Sequence, residues 1–559
     1  MIVRSPDPDI VIPDTPFAPY VLRQAERLAN KPALIDGVDG RTYTYEEVAA
    51  IVRSLAAGLS HHGFRKGDVL ALFSPNCPEY PIVILAVALL GGATTTVNPT
   101  YTVDELVFQL NDAGAKYLVA SPSGVEKALA GKGRSSVEEV FVLGERLSVG
   151  QAKPAISRRQ GSHGNWANKW LSRRWAAKRQ PPSLALSATP LSSLLADLEA
   201  PPVAIDVAQD VVALPYSSGT TGLAKGVMLT HRNLVANLRQ MEPSGLVTAE
   251  DTVIGVLPFY HIYGLTVILA QSLANGATIV SLPRFDFAQF LQTLQDRRVT
   301  VGFMAPPIML ALAKQLLVDN YDLSHLRIAM SAAAPLAREV EETVSQRLGC
   351  IVVQGWGLTE TSPDVTLSQV DTTRIRIGSV GRCIPNSECK VVNVATEVEL
   401  GPNQEGEIWV RGPQIMKGYL NNPAATSEML DRNGWLHTGD IGYFDEDGYF
   451  FIVDRLKELI KYKGYQVAPA ELEAVLLTHP TVADAAVIPS PDEEAGEAPK
   501  AFVALKPGAT TTADELMAFV AERVAPFKRI RRLEFISHVP KSPSGKILRR
   551  VLVERERAK

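Results

Sequence analysis

The chain has 559 residues, 46% of them apolar and 21% charged, with a net charge of −4. Those are the proportions of a globular protein, and the charge gives no global reason to expect nucleic acid as a partner. The length exceeds what one core can serve and implies roughly three or four folding units, which makes a multidomain enzyme the default reading. Cys77, Cys350, Cys383 and Cys389 lack paired metal-ligand spacing and read as reduced thiols, although Cys383 and Cys389 could lie close together. Prolines at the N-terminus replace any basic-then-apolar signal pattern. The longest apolar run, 82–93, falls short of the roughly 20 residues a bilayer span needs and reads as a buried helix. A cytoplasmic location without a transmembrane segment is expected.

In chain order, 69–73 and 117–120 read as buried strands with an amphipathic helix at 104–112 between them. Further strands are expected at 140–143, 211–214, 253–257, 278–282 and 351–354. This alternation predicts an α/β fold: a large N-terminal domain of two helix-covered, mainly parallel sheets. From about residue 378 to 453 the pattern changes to short alternating segments, 390–394, 406–411 and 449–453, which predict a small antiparallel β subdomain. The last hundred residues or so read as a small, mobile α+β domain, with helices at 469–477 and 513–524 and strands at 485–488, 501–505 and 533–536. Pro469 suits a helix N1 position. The segment 146–180 fits none of this. It carries nine basic residues from Arg146 to Arg179, no acidic residue, and Trp166, Trp170 and Trp175. A surface insertion is the plain reading; peripheral contact of a basic, Trp-bearing helix with an anionic membrane is the other.

Five clusters carry chemistry. The first, after the apolar segment 211–214, is a loop with Ser217, Ser218, Gly219, Thr220, Thr221, Gly222 and Lys225. Glycines for close backbone approach, hydroxyl donors and one cation make it a candidate phosphate cradle, although Gly226 after the lysine rules out a Walker A motif. An ordinary strand-to-helix turn is the alternative. The second places a Gly355-Trp356-Gly357 turn after Gln354, followed by Thr359, able to hold a phosphate oxygen, and Glu360, a hard-oxygen ligand suited to Mg²⁺. Asp440, at the end of a Thr438-Gly439-Asp440 triplet, suits a pair of ribose hydroxyls. Asp454 and Arg455 offer a second ribose or phosphate contact. The fifth is a Pro/Ser/Gly-rich loop presenting Lys546.

In this order the clusters resemble the adenylate-forming superfamily of acyl-CoA synthetases, luciferases and peptide-synthetase adenylation domains, over nearly the whole chain. Residues 257–263 and 461–471 look most like those of 4-coumarate:CoA ligases and their close relatives. The resemblance implies an ATP-dependent acid:CoA ligase that forms an acyl-adenylate and then a thioester with coenzyme A. Its acid would be hydroxycinnamate-like or medium-chain. A luciferase-like enzyme, a ligase delivering to a carrier protein, and a catalytically silent acyl or nucleotide sensor are the alternatives. Carried over residue by residue, Lys546 is the catalytic lysine, with His261, Lys461 and Gln466 in support. Thr220, Thr221 and Lys225 contain the β and γ phosphates, and Thr220 and Glu360 attend the magnesium. Asp440 and Arg455 hold the ribose, while Ala333, Ala334, Gln354, Gly355 and Trp356 flank the adenine. Tyr263, Met330, Ala333 and Gly357 line the acyl pocket, Lys463 and Gly464 meet coenzyme A, and Lys457 is the hinge between residues 1–456 and 457–559. Trp356 stands where family members usually carry Tyr, and Ala332 where they carry Gly. Asp364 and Val267 depart from the residues expected near the acyl pocket.

Overall fold

A computed structural model describes residues 1–144, 146–149, 188–217, 224–463, 465–492, 495–543 and 545–557. Two nine-stranded sheets form the N-terminal part. The first has a parallel centre of Val211–Ala213, Ala93–Val97, Val69–Phe73, Ala115–Ala120 and Glu139–Val142. In the second, Pro32–Asp36, Thr278–Ser281, Thr252–Gly255, Val301–Met304, Ile328–Ser331 and Ile351–Gly357 run parallel. Their side chains are buried on both faces, as helix-covered parallel strands require. Three of the helices in this part start on threonine. Thr44 with Glu47, Thr102 with Glu105 and Thr230 with Asn233 form reciprocal capping boxes, each stabilising its helix by about 1 kcal/mol.

The apolar run at 82–93 divides. Helix Glu79–Leu89 is apolar all round and almost wholly buried, and the chain then turns at Gly91, with φ +66°, into strand Ala93–Val97. That strand carries three threonines in succession and escapes a hydrophobicity reading. It is stable inside because Thr95 Oγ1 donates to the Leu214 carbonyl at 2.9 Å and Thr96 Oγ1 to that of Tyr260 at 2.7 Å.

The β subdomain is a five-stranded antiparallel sheet of Glu388–Val392, Gly406–Arg411, Leu436–Phe444 and Phe450–Arg455, with Val3–Arg4 from the N-terminus closing its edge. The C-terminal domain has its own sheet, built around the long hairpin Val482–Asp492 and Gly496–Leu505, and its own hydrophobic cluster. Helix Pro469–Thr478 begins at Pro469. The domain rests on the N-terminal part: Lys314 Nζ donates to the Leu477 carbonyl at 2.8 Å, and Gly545 packs on Ala305 and Pro307.

The basic segment is anchored at its start. Arg146 pairs with Glu47 at 2.6 Å and Leu147 is buried, so these residues belong to the folded surface; 150–187 lie outside the described residues. Among the described residues no helix is long and apolar enough to cross a membrane. Cys383 and Cys389 are free, buried and close enough for their thiols to interact; burial first, and the neighbouring Cys383 thiol second, push Cys389 well above the usual thiol range.

Candidate active site

The candidate phosphate loop joins two antiparallel strands rather than a strand and a helix. Tyr216 pairs with Gly226 and Ser217 with Lys225, so 218–224 form the tip of a hairpin. Ser218, Gly219, Thr220, Thr221 and Gly222 lie outside the described residues, but both flanks are placed. Lys225 Nζ sits 4.6 Å from the centre of the Tyr419 ring. Glu360 lies 6% exposed beside the hairpin, and its Oε1 accepts two hydrogen bonds, from Ser217 Oγ at 2.9 Å and from Tyr419 OH at 2.8 Å. Thr359 precedes it on a short 3₁₀ turn.

Gly355, Trp356 and Gly357 do not form a turn. They continue strand Ile351–Gly357, and strand Asp364–Leu367 pairs against them antiparallel. Glycine is required there by close approach: a Cβ on Gly355 would lie 2.7 Å from Met330 Cε, and one on Gly357 would lie 1.8 Å from the Pro363 carbonyl oxygen. Gln354 donates at 2.7 Å to Glu341, a buried carboxylate whose pKa burial raises and which also accepts from the Gly378 amide. The side-chain amide of Gln354 is thus committed to the helix behind the strand. Ala333 holds φ +77°, a left-handed conformation unusual for a residue with a Cβ, and lies beside Ala334 at the mouth of strand Ile328–Ser331.

Trp356 Nε1 donates to Asp440 Oδ2 at 2.8 Å. Asp440 faces Arg455 across neighbouring strands, its Oδ1 3.2 Å from Arg455 Nε yet without a directed hydrogen bond. Thr438 Oγ1 accepts from the Asp440 amide at 3.1 Å, fixing the carboxylate's backbone. A buried carboxylate oxygen with a cation beside it and no donor is suited to a hydroxyl pair such as a ribose presents. Asp454 does not share that role. Its two oxygens accept from the Arg455 and Ala470 amides, so it fastens the start of helix Pro469–Thr478.

Lys546 enters this site from the C-terminal domain. Its loop is closed by the Ser542 amide donating to the Lys546 carbonyl at 2.8 Å, and Gly545 at φ +85° lets the loop press against Ala305. Burial pulls the ammonium down to about 8, assisted by Arg455 and opposed by Asp440, Glu360 and Glu458. Three segments, around Glu360, Asp440 and Arg455 with Glu458, therefore act on one amine. His261 is also within reach of that charge: burial first, and the Lys546 charge second, push the imidazole down to about 3, so it is neutral. Its Nδ1 accepts from the Tyr263 amide at 3.3 Å, leaving Nε2 as the outward nitrogen.

Residues 21–420 match the family described as AMP-binding enzyme, and 471–546 match its C-terminal domain. The chain belongs to the AMP-binding enzyme family. It is 42% identical to 4-coumarate–CoA ligase 2 of Petroselinum crispum over 99% of this chain and 96% of that one. It is likewise 42% identical to 4-coumarate–CoA ligase 5 of Oryza sativa subsp. japonica, with the same coverage. Among solved structures, ATP-bound MatB from Rhodopseudomonas palustris superposes with a TM-score of 0.81 at 27% identity, covering 96% of this chain and 98% of that chain.

As an AMP-binding enzyme the molecule has its two halves assembled around Lys546, and other expected residues lie elsewhere. Lys461 and Gln466 face each other on a hairpin, Ile460–Tyr462 with Tyr465–Val467, and both are exposed. They are not brought to Lys546 in this arrangement, because the hairpin and the Lys546 loop lie at different places on the C-terminal domain. Lys463, at φ 48°, turns that hairpin, and Gly464 lies outside the described residues. Lys457 is exposed in the turn after Phe450–Arg455. The acyl-pocket candidates Tyr263 and Met330 are buried, with Tyr263 edge-on to Phe303 at 6.2 Å, and Val267 is buried on the π-helical stretch Tyr263–Ala270. Sequence reasoning missed Tyr419. Nothing local marks it, since its role exists only through Glu360 and Lys225.

Proposed function

We propose that the protein is an AMP-forming acid:CoA ligase whose acid is a slim aromatic carboxylate. The observation that carries this reading is the convergence of Lys546 with Arg455, Asp440, Glu360 and His261. The relatives named for 4-coumarate and CoA support the choice of acid class.

In the first half-reaction a substrate carboxylate oxygen attacks the α-phosphorus of ATP and the bond to pyrophosphate breaks. Both partners are anionic, so concentrated cations must lower the repulsion. Lys546 supplies the mobile charge at the reacting oxygens, and Lys225, with the hydroxyls of the hairpin loop, holds the departing pyrophosphate. Asp440 accepts from the ribose hydroxyls, with the Arg455 guanidinium beside it at 3.2 Å. Neutral His261 leaves the incoming carboxylate without a competing ion pair.

Among the described residues no group of three His, Cys, Asp or Glu could hold a metal ion. That suits Mg²⁺, which binds through one or two carboxylates together with substrate phosphates. Glu360 is its protein ligand in this reading: Oε1 is occupied by two hydroxyls and Oε2 accepts no hydrogen bond among the described residues. The metal would neutralise phosphate charge.

In the second half-reaction the thiol of coenzyme A attacks the acyl carbon and AMP leaves. Lys461, Gln466 and Lys463, now exposed, reach the site in this reading when the C-terminal domain, residues 457–559, turns about Lys457 relative to 1–456. The deciding experiment follows ATP-dependent pyrophosphate release and CoA thioester formation across cinnamates, benzoates and straight-chain fatty acids. Thioester from a cinnamate or benzoate is expected; pyrophosphate release with none of the acids would falsify the reading.

A further inference from the structure

Asp364 is a carboxylate in an apolar place. It begins strand Asp364–Leu367 opposite Gly357, at 3% exposure, and the Asn237 side chain secures its backbone, accepting from the amide at 3.1 Å and donating to the carbonyl at 2.8 Å. No hydrogen bond among the described residues reaches its carboxylate, and Oδ2 is fully enclosed. The Tyr263 hydroxyl, on a side chain 5% exposed, is enclosed and unpartnered in the same way. The two lie near enough for the Asp364 charge to raise the tyrosine pKa further above the range that burial sets. A buried polar group left without a partner costs about 1–3 kcal/mol, and more when it is charged. An apolar side chain at either position would carry no such cost.

The placement is directional. Lys546 acts on His261, and His261 is tied through its Nδ1 to the amide of Tyr263, whose ring meets Phe303 edge-on and whose hydroxyl feels the Asp364 charge. Lys546, His261, Tyr263 and Asp364 are therefore linked pairwise, from the loop of the C-terminal domain to the buried carboxylate. Gly355, on the strand that pairs with Asp364–Leu367, leaves room for Met330 Cε from the neighbouring strand.

We propose that Asp364 and Tyr263 form a recognition site for a hydrogen-bond donor at the end of the acyl group remote from its carboxylate. The substrate is an acid carrying a hydroxyl or amino group there. This rests on the ligase reading above. Asp364 accepts from that donor, and Tyr263 supplies the second contact. Both are specificity residues and neither takes part in bond making.

The test compares ATP-dependent pyrophosphate release by the full-length protein on matched acids: para-hydroxycinnamate and para-aminocinnamate against para-methylcinnamate. The donor-bearing acids are expected to exceed the methyl acid by roughly 10²-fold or more in kcat/KM, because a site built around a donor is left unsatisfied by the analogue lacking it. The ratio between the hydroxyl and amino acids says which donor the site takes. Asp364→Val should bring the ratio toward one by losing the donor acids and gaining the methyl acid, and Asp364→Asn, which keeps an acceptor, should restore part of it. Turnover of all three acids at similar kcat/KM by the unsubstituted protein overturns this inference and leaves the ligase reading standing. So does a preference that survives Asp364→Val. No turnover of any acid overturns both.

Discussion

Trp356 and Asp440 are 84 residues apart in sequence and joined by an indole N–H donating to a carboxylate at 2.8 Å. The bond links strand Ile351–Gly357, proposed to flank the adenine, to strand Leu436–Phe444, whose carboxylate is proposed to hold the ribose. Trp356→Phe keeps an aromatic face and deletes the donor. A hydrogen bond to a charged group contributes about 1.5–3 kcal/mol, so KM for ATP should rise by roughly 10- to 100-fold with kcat changed less. Initial rates against ATP concentration check this. An unchanged KM would mean that Arg455 alone orients Asp440.

Lys546 should leave its signature in pH dependence. Its ammonium is held down to about 8 in the free protein, so kcat/KM for adenylation should fall as pH rises through about 8. Bound triphosphate favours the charged form, and the corresponding fall in kcat should lie at higher pH. Lys546→Ala should lose adenylation by at least roughly 10³-fold while hydroxide-free thiolysis of supplied acyl-adenylate persists. Equal loss of the two half-reactions would point to a collapsed C-terminal domain instead.

Lys457→Pro is a clean probe of domain rotation. Lys457 is exposed, and among the described residues its amide donates no hydrogen bond, whereas those of Leu456, Glu458 and Leu459 do. Proline there restricts φ without removing an existing bond. Pyrophosphate release should remain within a few-fold, and thioester formation should fall by more than roughly 10²-fold. Stopped-time assays of each half-reaction distinguish this from a general loss.

Asp364 should cost stability at neutral pH. Burial raises it from 3.8 to about 7, so the folded state prefers the protonated acid. Its contribution is fully present below 3.8 and is lost as pH rises toward about 7. Asp364→Val should therefore match the unsubstituted protein most closely near pH 4 and exceed it by up to about 4 kcal/mol above pH 7. Thermal unfolding of both proteins across that range measures the divergence. Parallel curves would place a partner on the carboxylate.

Much of this was legible along the chain. The parallel strands, Pro469 at its helix start, Glu360, Asp440, Arg455 and Lys546 all announce themselves in local apolar runs or compact motifs. What escaped depends on contacts between distant segments. Strand Ala93–Val97 looks polar because Thr95 and Thr96 find carbonyl partners only after folding. Gly355 and Gly357 suggest a turn, yet they serve close packing in a strand. The commitment of Gln354 to Glu341 and of Tyr419 to Glu360, the latter 59 residues away, has no local sign. Lys461 and Gln466 belong to a motif whose sequence does not say which arrangement of the two domains brings it inward.

The two hydroxyls on Glu360 have a consequence for ion choice. With Ser217 and Tyr419 both donating to Oε1, the carboxylate has a single oxygen to offer and cannot chelate through both without giving up those bonds. Calcium favours wide, often bidentate carboxylate coordination in shells of six to eight oxygens, whereas a small octahedral ion is content with one. If Glu360 holds the metal as proposed, its fixed carboxylate would discriminate by ionic radius as well as bind, and Tyr419, by fixing its orientation, would set the width of the mesh.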